Sequence, residues 1–241
     1  MILRGVNLNQ GAEPEDMVSI RFWLEQHRIV TMRRRKIMAV EDLRQATDAG
    51  SGPVGAGSFL EELSDRLGAR MGDAIADIDD AFDALEDEVL TEQTYELRPK
   101  LANIRRQVIS MRRYIAPQRD VIARLQSEKV TWLSDLERMR LREIGDRTTR
   151  YVEDLDAIRD RATVTQEELN SSLSEQMNKT MYVLSIVAGI FLPLGLLTGL
   201  LGINVGGIPG TENPWAFTIF CVLLGLIAGG QIWLFKRKKW M

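Results

Sequence analysis

Two uncharged apolar runs near the C-terminal end constrain this chain more than any other feature of its 241 residues. Residues 181–201 and 215–235 are each 21 residues long without a Lys, Arg, Asp or Glu. At about 1.5 Å per residue, either run spans roughly 31 Å as a helix, close to the ~30 Å hydrocarbon core of a bilayer. Two such runs in tandem, closed by the basic stretch Lys236-Arg237-Lys238-Lys239, are hard to reconcile with core helices of a 27.3 kDa globule. Two transmembrane helices are therefore expected, at 181–201 and 215–235, joined by a short loop at 202–214.

The flanks give an orientation. Lys179 precedes the first run and the basic tail 236–241 follows the second, while the loop between them holds no Lys or Arg. The positive-inside bias puts both termini in the cytoplasm and the loop outside, in a multi-pass protein of the cytoplasmic (inner) membrane. Trp215, Trp233 and Trp240 lie at or near the span ends, where interfacial aromatics belong. Two GxxxG spacings, Gly195/Gly199 and Gly225/Gly229, offer places for close helix approach.

Charge elsewhere is dense. Apart from the four basic tail residues and Glu212, all 31 Lys and Arg and all 34 Asp and Glu lie in residues 1–180, which carry a net −6. The single Cys, Cys221, allows no intrachain disulfide, and there is one His, His27, with no CxxC or HxxxH spacing. A tight protein-built zinc or copper site is not expected. Residues 1–15 hold no apolar core of signal-peptide length. With no nucleophile–base constellation and no phosphate-binding glycine loop, an enzyme is not expected; neither is a cofactor or a nucleic-acid partner.

The region before the spans reads as a partial α/β domain followed by helices. Strand formers concentrate at residues 2–8, 18–24 and 29–32, with a hairpin turn over 25–28 that contains His27. A short helix over 40–47 and a Gly/Ser/Pro-rich linker over 48–58 follow, so residues 1–57 form the α/β remnant. Residues 58–115 then suggest two antiparallel helices of opposite charge. The first, over 59–90 with Ser58 as its cap, carries Asp73, Asp77, Asp79, Asp80, Asp83, Glu86, Asp87 and Glu88. Such a cluster is either a solvated face or a surface that gathers cations by its field. The second, over 95–114, is basic, and Pro117 is expected to end it or to open the next helix.

From residue 118 to residue 192 there is no proline, glycine occurs at Gly145 and Gly189, and apolar residues recur at helical spacing. A single helix over about 116–201 is expected, roughly 130 Å long, with residues 116–180 forming a coiled or bundled stalk. Its membrane part presents a stripe at helical intervals: Asn178, Met181, Leu184, Ser185, Ala188, Leu192, Gly195, Thr198 and Gly202. Two helices cannot enclose an aqueous path, so a transport route needs several copies around an axis with one helix per copy facing inward. On pattern alone, a Leu/Met stripe is more often a lipid- or helix-facing core than a pore.

Residues 181–193 (MYVLSIVAGIFLP), the triplet Gly202-Ile203-Asn204 and the basic aromatic end Lys236-Arg237-Lys238-Lys239-Trp240 resemble the C-terminal end of the CorA superfamily of divalent-cation transporters. Ala116-Pro117-Gln118-Arg119-Asp120-Val121 is similar to the junction where the long stalk helix of that family begins. The usual family triplet is GMN; GIN followed by Val205-Gly206-Gly207-Ile208-Pro209-Gly210 resembles the ZntB zinc-transporter branch. Two departures stand out: Met1 falls inside the family's cytoplasmic domain, and the loop holds one acid, Glu212, where magnesium-transporting relatives carry more.

The resemblance implies a mainly α membrane protein built as a homopentamer, with five first spans lining a pore and the second spans outside them. It makes Gly202, Ile203 and Asn204 the ion-selectivity loop, with Asn204 offering side-chain oxygens that hold a hydrated metal ion weakly. Gly202 allows the tight turn, Met181, Leu184 and Leu192 form an apolar gate, and Asn178 forms a polar ring at the inner end. An apolar constriction stops an ion because it cannot replace lost hydration. Zinc comes from the resemblance alone. The residues themselves, with no Cys or His along the pore stripe, suit a hard hydrated cation, which leaves magnesium, cobalt or nickel open. A non-conducting membrane scaffold is the remaining alternative.

Overall fold

Alternation along one strand sets the sheet. Val18, Ile20 and Phe22 are buried while Arg21 and Trp23 are exposed, the period-two pattern of a half-covered strand. In the computed structural model, which describes every residue except 92, 93, 129, 203–212 and 239–241, this strand is the middle of three. The strands β1 (Ile2–Gly5), β2 (Val18–Glu25) and β3 (Arg28–Arg33) pair antiparallel in the order β1-β2-β3. Glu25 pairs with Arg28, so Gln26 and the exposed His27 form the expected tight turn. Gly5 lets β1 lie on the helices, since a Cβ there would sit 2.6 Å from Leu67 Cδ2.

The helices are α1 (Met38–Asp48), α2 (Ala56–Thr91), α3 (Leu97–Ser127), α4 (Asp135–Gly202) and α5 (Ala216–Arg237). The chain divides into two units, Met1–Ser171 and Ser172–Met241, and α4 contributes to both. In the first unit α2, α3 and the start of α4 form an up-down-up bundle. Leu97, Leu101, Ile104, Val108, Met111 and Ile115 of α3 are buried at alternating spacings of four and three, the seam of coiled-coil-like packing. Lys100 meets Glu88 across α2 and α3, and Arg112 grips Asp156 across α3 and α4 with hydrogen bonds of 2.6 and 3.0 Å.

Two expectations need correction. The stalk helix does not begin at residue 116: α3 runs through Pro117 to Ser127, and α4 starts only at Asp135. Pro117 and Arg113 are both exposed, so water can bond the Arg113 carbonyl that the proline deprives of its N–H. Buried Ile115, Gln118 and Ile122 hold the helix on both sides of it. The real break, over 128–134, ends in a reciprocal cap. Ser134 N–H donates to Glu137 Oε2 at 2.8 Å, and Glu137 N–H donates back to Ser134 Oγ at 3.3 Å. This Ser-x-x-Glu box was readable in the sequence and outweighs the unbroken apolar stripe.

The cap of α2 also moves. The helix starts at Ala56, so Ser58 lies in its first turn and its Oγ accepts the Gly55 N–H instead. Acids of α2 reach α4 as well as α3. Arg161 of α4 bonds Asp79, Asp83 and Glu86, and its guanidinium lies 4.7 Å from the Phe82 ring centroid. Replacing Ser134 with Ala should lower stability by about 1 kcal/mol, the usual worth of such a cap. Thermal unfolding of the detergent-solubilised chain would show it as a lower midpoint.

Candidate ion-conduction face

The second unit is a pair of helices long and apolar enough to cross a membrane, with none of either apolar window buried. Asn213 leads the chain into the second: its Oδ1 accepts the Trp215 N–H and its carbonyl accepts the Ala216 N–H, both at 3.0 Å. At the other end, Lys236 and Arg237 occupy the last turn of α5, where cations complement the helix dipole. Arg237 stands 5.3 Å over the Trp233 ring, pairing a cation with an interfacial aromatic.

Each helix shades one face of the other. On α4 the half-buried residues are Ile186, Gly189, Ile190, Pro193, Leu194 and Leu197, together with Ala188. On α5 they are Ala216, Phe220, Leu224, Ile227, Ala228, Gln231 and Phe235, a stripe of helical period. A close approach falls at Gly189, where an added Cβ would lie 3.2 Å from Phe235 Cζ. The two GxxxG pairs take no part in this packing, for a Cβ on Gly195, Gly199, Gly225 or Gly229 meets nothing within 4 Å.

The expected pore stripe lies on the opposite side of α4. At 100° per residue, positions 178, 181, 184, 185, 188, 192, 195, 198 and 202 fall within an arc of roughly 160°. Met181, Leu184 and Leu192 are 62%, 67% and 71% exposed, and Asn178, Ser185, Gly195, Thr198 and Gly202 are exposed with them. Ala188, the small residue among longer neighbours, is half-buried. The stripe is therefore one continuous face that α5 leaves open. Ile203 and Asn204 of the expected selectivity loop lie outside the described residues.

The two hydroxyls on this face have a defined polarity. Ser185 Oγ donates to the Met181 carbonyl at 2.7 Å, and Thr198 Oγ donates to the Leu194 and Gly195 carbonyls at 2.9 and 3.1 Å. With the proton turned back onto the helix, each oxygen offers only lone pairs outward, which suits a cation or its water shell. Among the described residues no group of three or more His, Cys, Asp or Glu could hold a metal.

Of the acidic cluster, four members are tied up: Asp79, Asp83 and Glu86 by Arg161, and Glu88 by Lys100. Burial, then the neighbouring Asp83, push the Asp79 carboxyl above its ordinary range against the pull of Arg161. Asp73, Asp77, Asp80 and Asp87 remain exposed. Pattern reading missed Gly189 as the α4–α5 contact and Gln231 as the amide on the shaded face of α5. The second stood out in the sequence as a carboxamide inside an apolar run.

A bundle of long helices joined to a two-span helical pair with an open polar-and-apolar stripe defines a membrane transporter fold. The chain matches the CorA-like Mg2+ transporter protein family over residues 1–237, and it belongs to that family, a family of divalent-cation transporters and not of enzymes. It is 41% identical over 239 residues to the zinc transport protein ZntB of Pectobacterium carotovorum, covering 99% of this chain and 73% of that protein. It is 42% identical over 242 residues to the divalent cation transporter CmaX of Pseudomonas aeruginosa, covering 100% of this chain and 73% of that one. The solved structure of full-length CmaX superposes with a TM-score of 0.83 at 42% identity, over 99% of this chain and 73% of the other.

Gly189→Val should force α5 away from α4 by placing a branched side chain against Phe235, costing about 1–3 kcal/mol as overpacking does. A lower thermal midpoint in detergent is expected, partly recovered when Phe235→Ala is added.

Proposed function

We propose that this chain assembles as a homopentamer in the cytoplasmic membrane and conducts a hydrated divalent cation, zinc foremost, along the open face of α4. The observation that carries this reading is the make-up of that face. It runs from Asn178 through apolar Met181, Leu184 and Leu192 to acceptor-only Thr198, and α5 stands clear of all of them. Five copies would set the apolar side chains as a constriction that withholds hydration, between polar rings where hydration is recovered. Gly202, Ile203 and Asn204 would form the outer entrance, with Asn204 contributing amide oxygens.

The positive-inside bias supports cytoplasmic termini and an outer loop. With five soluble parts of net −6, about thirty negative charges would surround the inner mouth before screening. Zinc is supported by the 41% identity to a protein named for zinc transport. The chemistry of the face favours a second reading, magnesium or cobalt, because it has neither thiolate nor imidazole to prefer zinc once dehydrated. Passive flux fits better than proton coupling, since Tyr182 and Cys221 are the titratable side chains within the spans.

Zinc flux into dye-loaded liposomes, with magnesium as competitor, tests both the ion and the alternative of a non-conducting scaffold. Asn204→Ala should abolish flux while the oligomer elutes at its normal size. Unchanged flux in that variant would contradict the role given to Asn204.

A further inference from the structure

Gln231 is the polar member of the α5 stripe that faces α4, and its Oε1 is buried without a hydrogen-bond partner among the described residues. At hydrocarbon depth such a group has no water to turn to, and it persists at a cost unless another helix supplies a partner. The α4 residues half-buried toward α5 are Ile186, Gly189, Ile190, Pro193, Leu194 and Leu197, none with a side-chain donor. What α4 offers there is a spare acceptor. Pro193 lies inside the helix and has no N–H, so the Gly189 carbonyl, four residues earlier, lacks its intrahelical partner.

Register brings the two together. Gly189 lies close to Phe235 of α5, an added Cβ there meeting Cζ at 3.2 Å. Gln231 lies one turn before Phe235 on the same face of α5, and Pro193 lies one turn after Gly189 on the same face of α4. In an antiparallel pair these steps run in the same direction, so Gln231 is level with Pro193, toward which the Gly189 carbonyl points along the helix axis. Glycine leaves that carbonyl unshielded by any side chain of its own. A half-turn about the last torsion of Gln231 exchanges Oε1 for Nε2, which turns an acceptor without a donor into a donor facing an acceptor.

We infer that Gln231 donates a hydrogen bond from Nε2 to the Gly189 carbonyl that Pro193 leaves free, and so fixes α5 against the back of the helix whose front face carries the ion path. Gln231 is then a positioning residue. It never meets the ion, but it sets the place and orientation of α4 about the weakest point of its own hydrogen-bond ladder. The functional readout rests on the transport reading above; the hydrogen bond itself does not.

A double-mutant cycle with Pro193→Ala tests it on the full-length oligomer. Alanine restores the missing N–H, so the Gly189 carbonyl no longer needs Gln231. Gln231→Met, which keeps length and volume but removes the amide, should slow divalent-cation flux about threefold when Pro193 is present, the effect typical of a membrane-buried hydrogen bond. In the Pro193→Ala background the same change should have no effect. The thermal midpoint in detergent should follow the same pattern, which keeps the test valid even if no variant conducts. Equal effects of Gln231→Met in both backgrounds, or no effect in either, would overturn the inference.

Discussion

A polar group carried to hydrocarbon depth must find its partner inside the protein, and the membrane half of this chain is organised around that demand. Both spans are helices, which bond their own backbones. Ser185 and Thr198 return their protons to carbonyls of their own helix. Lys236 and Arg237 stand at the end of α5, beside Trp233, and not within its apolar length. Among the described residues the carbonyl released by Pro193 and the amide of Gln231 stand apart from this pattern, and we infer that each satisfies the other. The same demand means that a pair of spans cannot make a pore alone, so the proposed pore needs neighbouring copies against the open face of α4.

Much of the fold was legible because its signals are local. Two 21-residue uncharged runs announce the spans, alternation announces β2, and the Glu25–Arg28 step announces the hairpin. The helix boundaries were harder, for a physical reason. Pro117 reads as a breaker, but buried Ile115 and Ile122 hold the helix in the bundle on both sides of it and Arg113, whose carbonyl loses its partner, is exposed. The break that does occur contains neither Gly nor Pro. It is signalled only by the Ser134–Glu137 box, four residues easily lost within an unbroken apolar periodicity.

Charge pairing was the least legible feature. Opposite charge on α2 and α3 suggested that the two pack together, but not that Arg161 of α4 takes three of the α2 acids. In a three-helix bundle every helix touches both others, so composition does not say which pair meets. On the candidate site, spacing put the stripe on one face of α4, because helical period fixes the face, but it could not say which way that face turns relative to α5. It could not reveal that the hydroxyls turn their protons inward, nor that Gly189 rather than a GxxxG pair makes the close contact.

The proposed ion chemistry would follow from the same face. In the proposed pore, an apolar constriction between weak oxygen donors would handle an ion through its hydration shell, leaving discrimination by ligand type little to act on. Relatives of similar identity carry names for zinc and for divalent cations in general, in keeping with a site that selects charge and hydration first.

The central claim is that the side of α4 turned away from α5 lines the ion path. Cysteine scanning tests it most directly, with Cys221 replaced by Ser and a charged, water-soluble thiol reagent applied during flux. Leu192→Cys and Thr198→Cys should be blocked by the reagent and protected by the permeant cation, while Leu226→Cys, on an exposed face of α5, should be unaffected. Equal block at all three positions, or block at Leu226→Cys alone, would contradict the account.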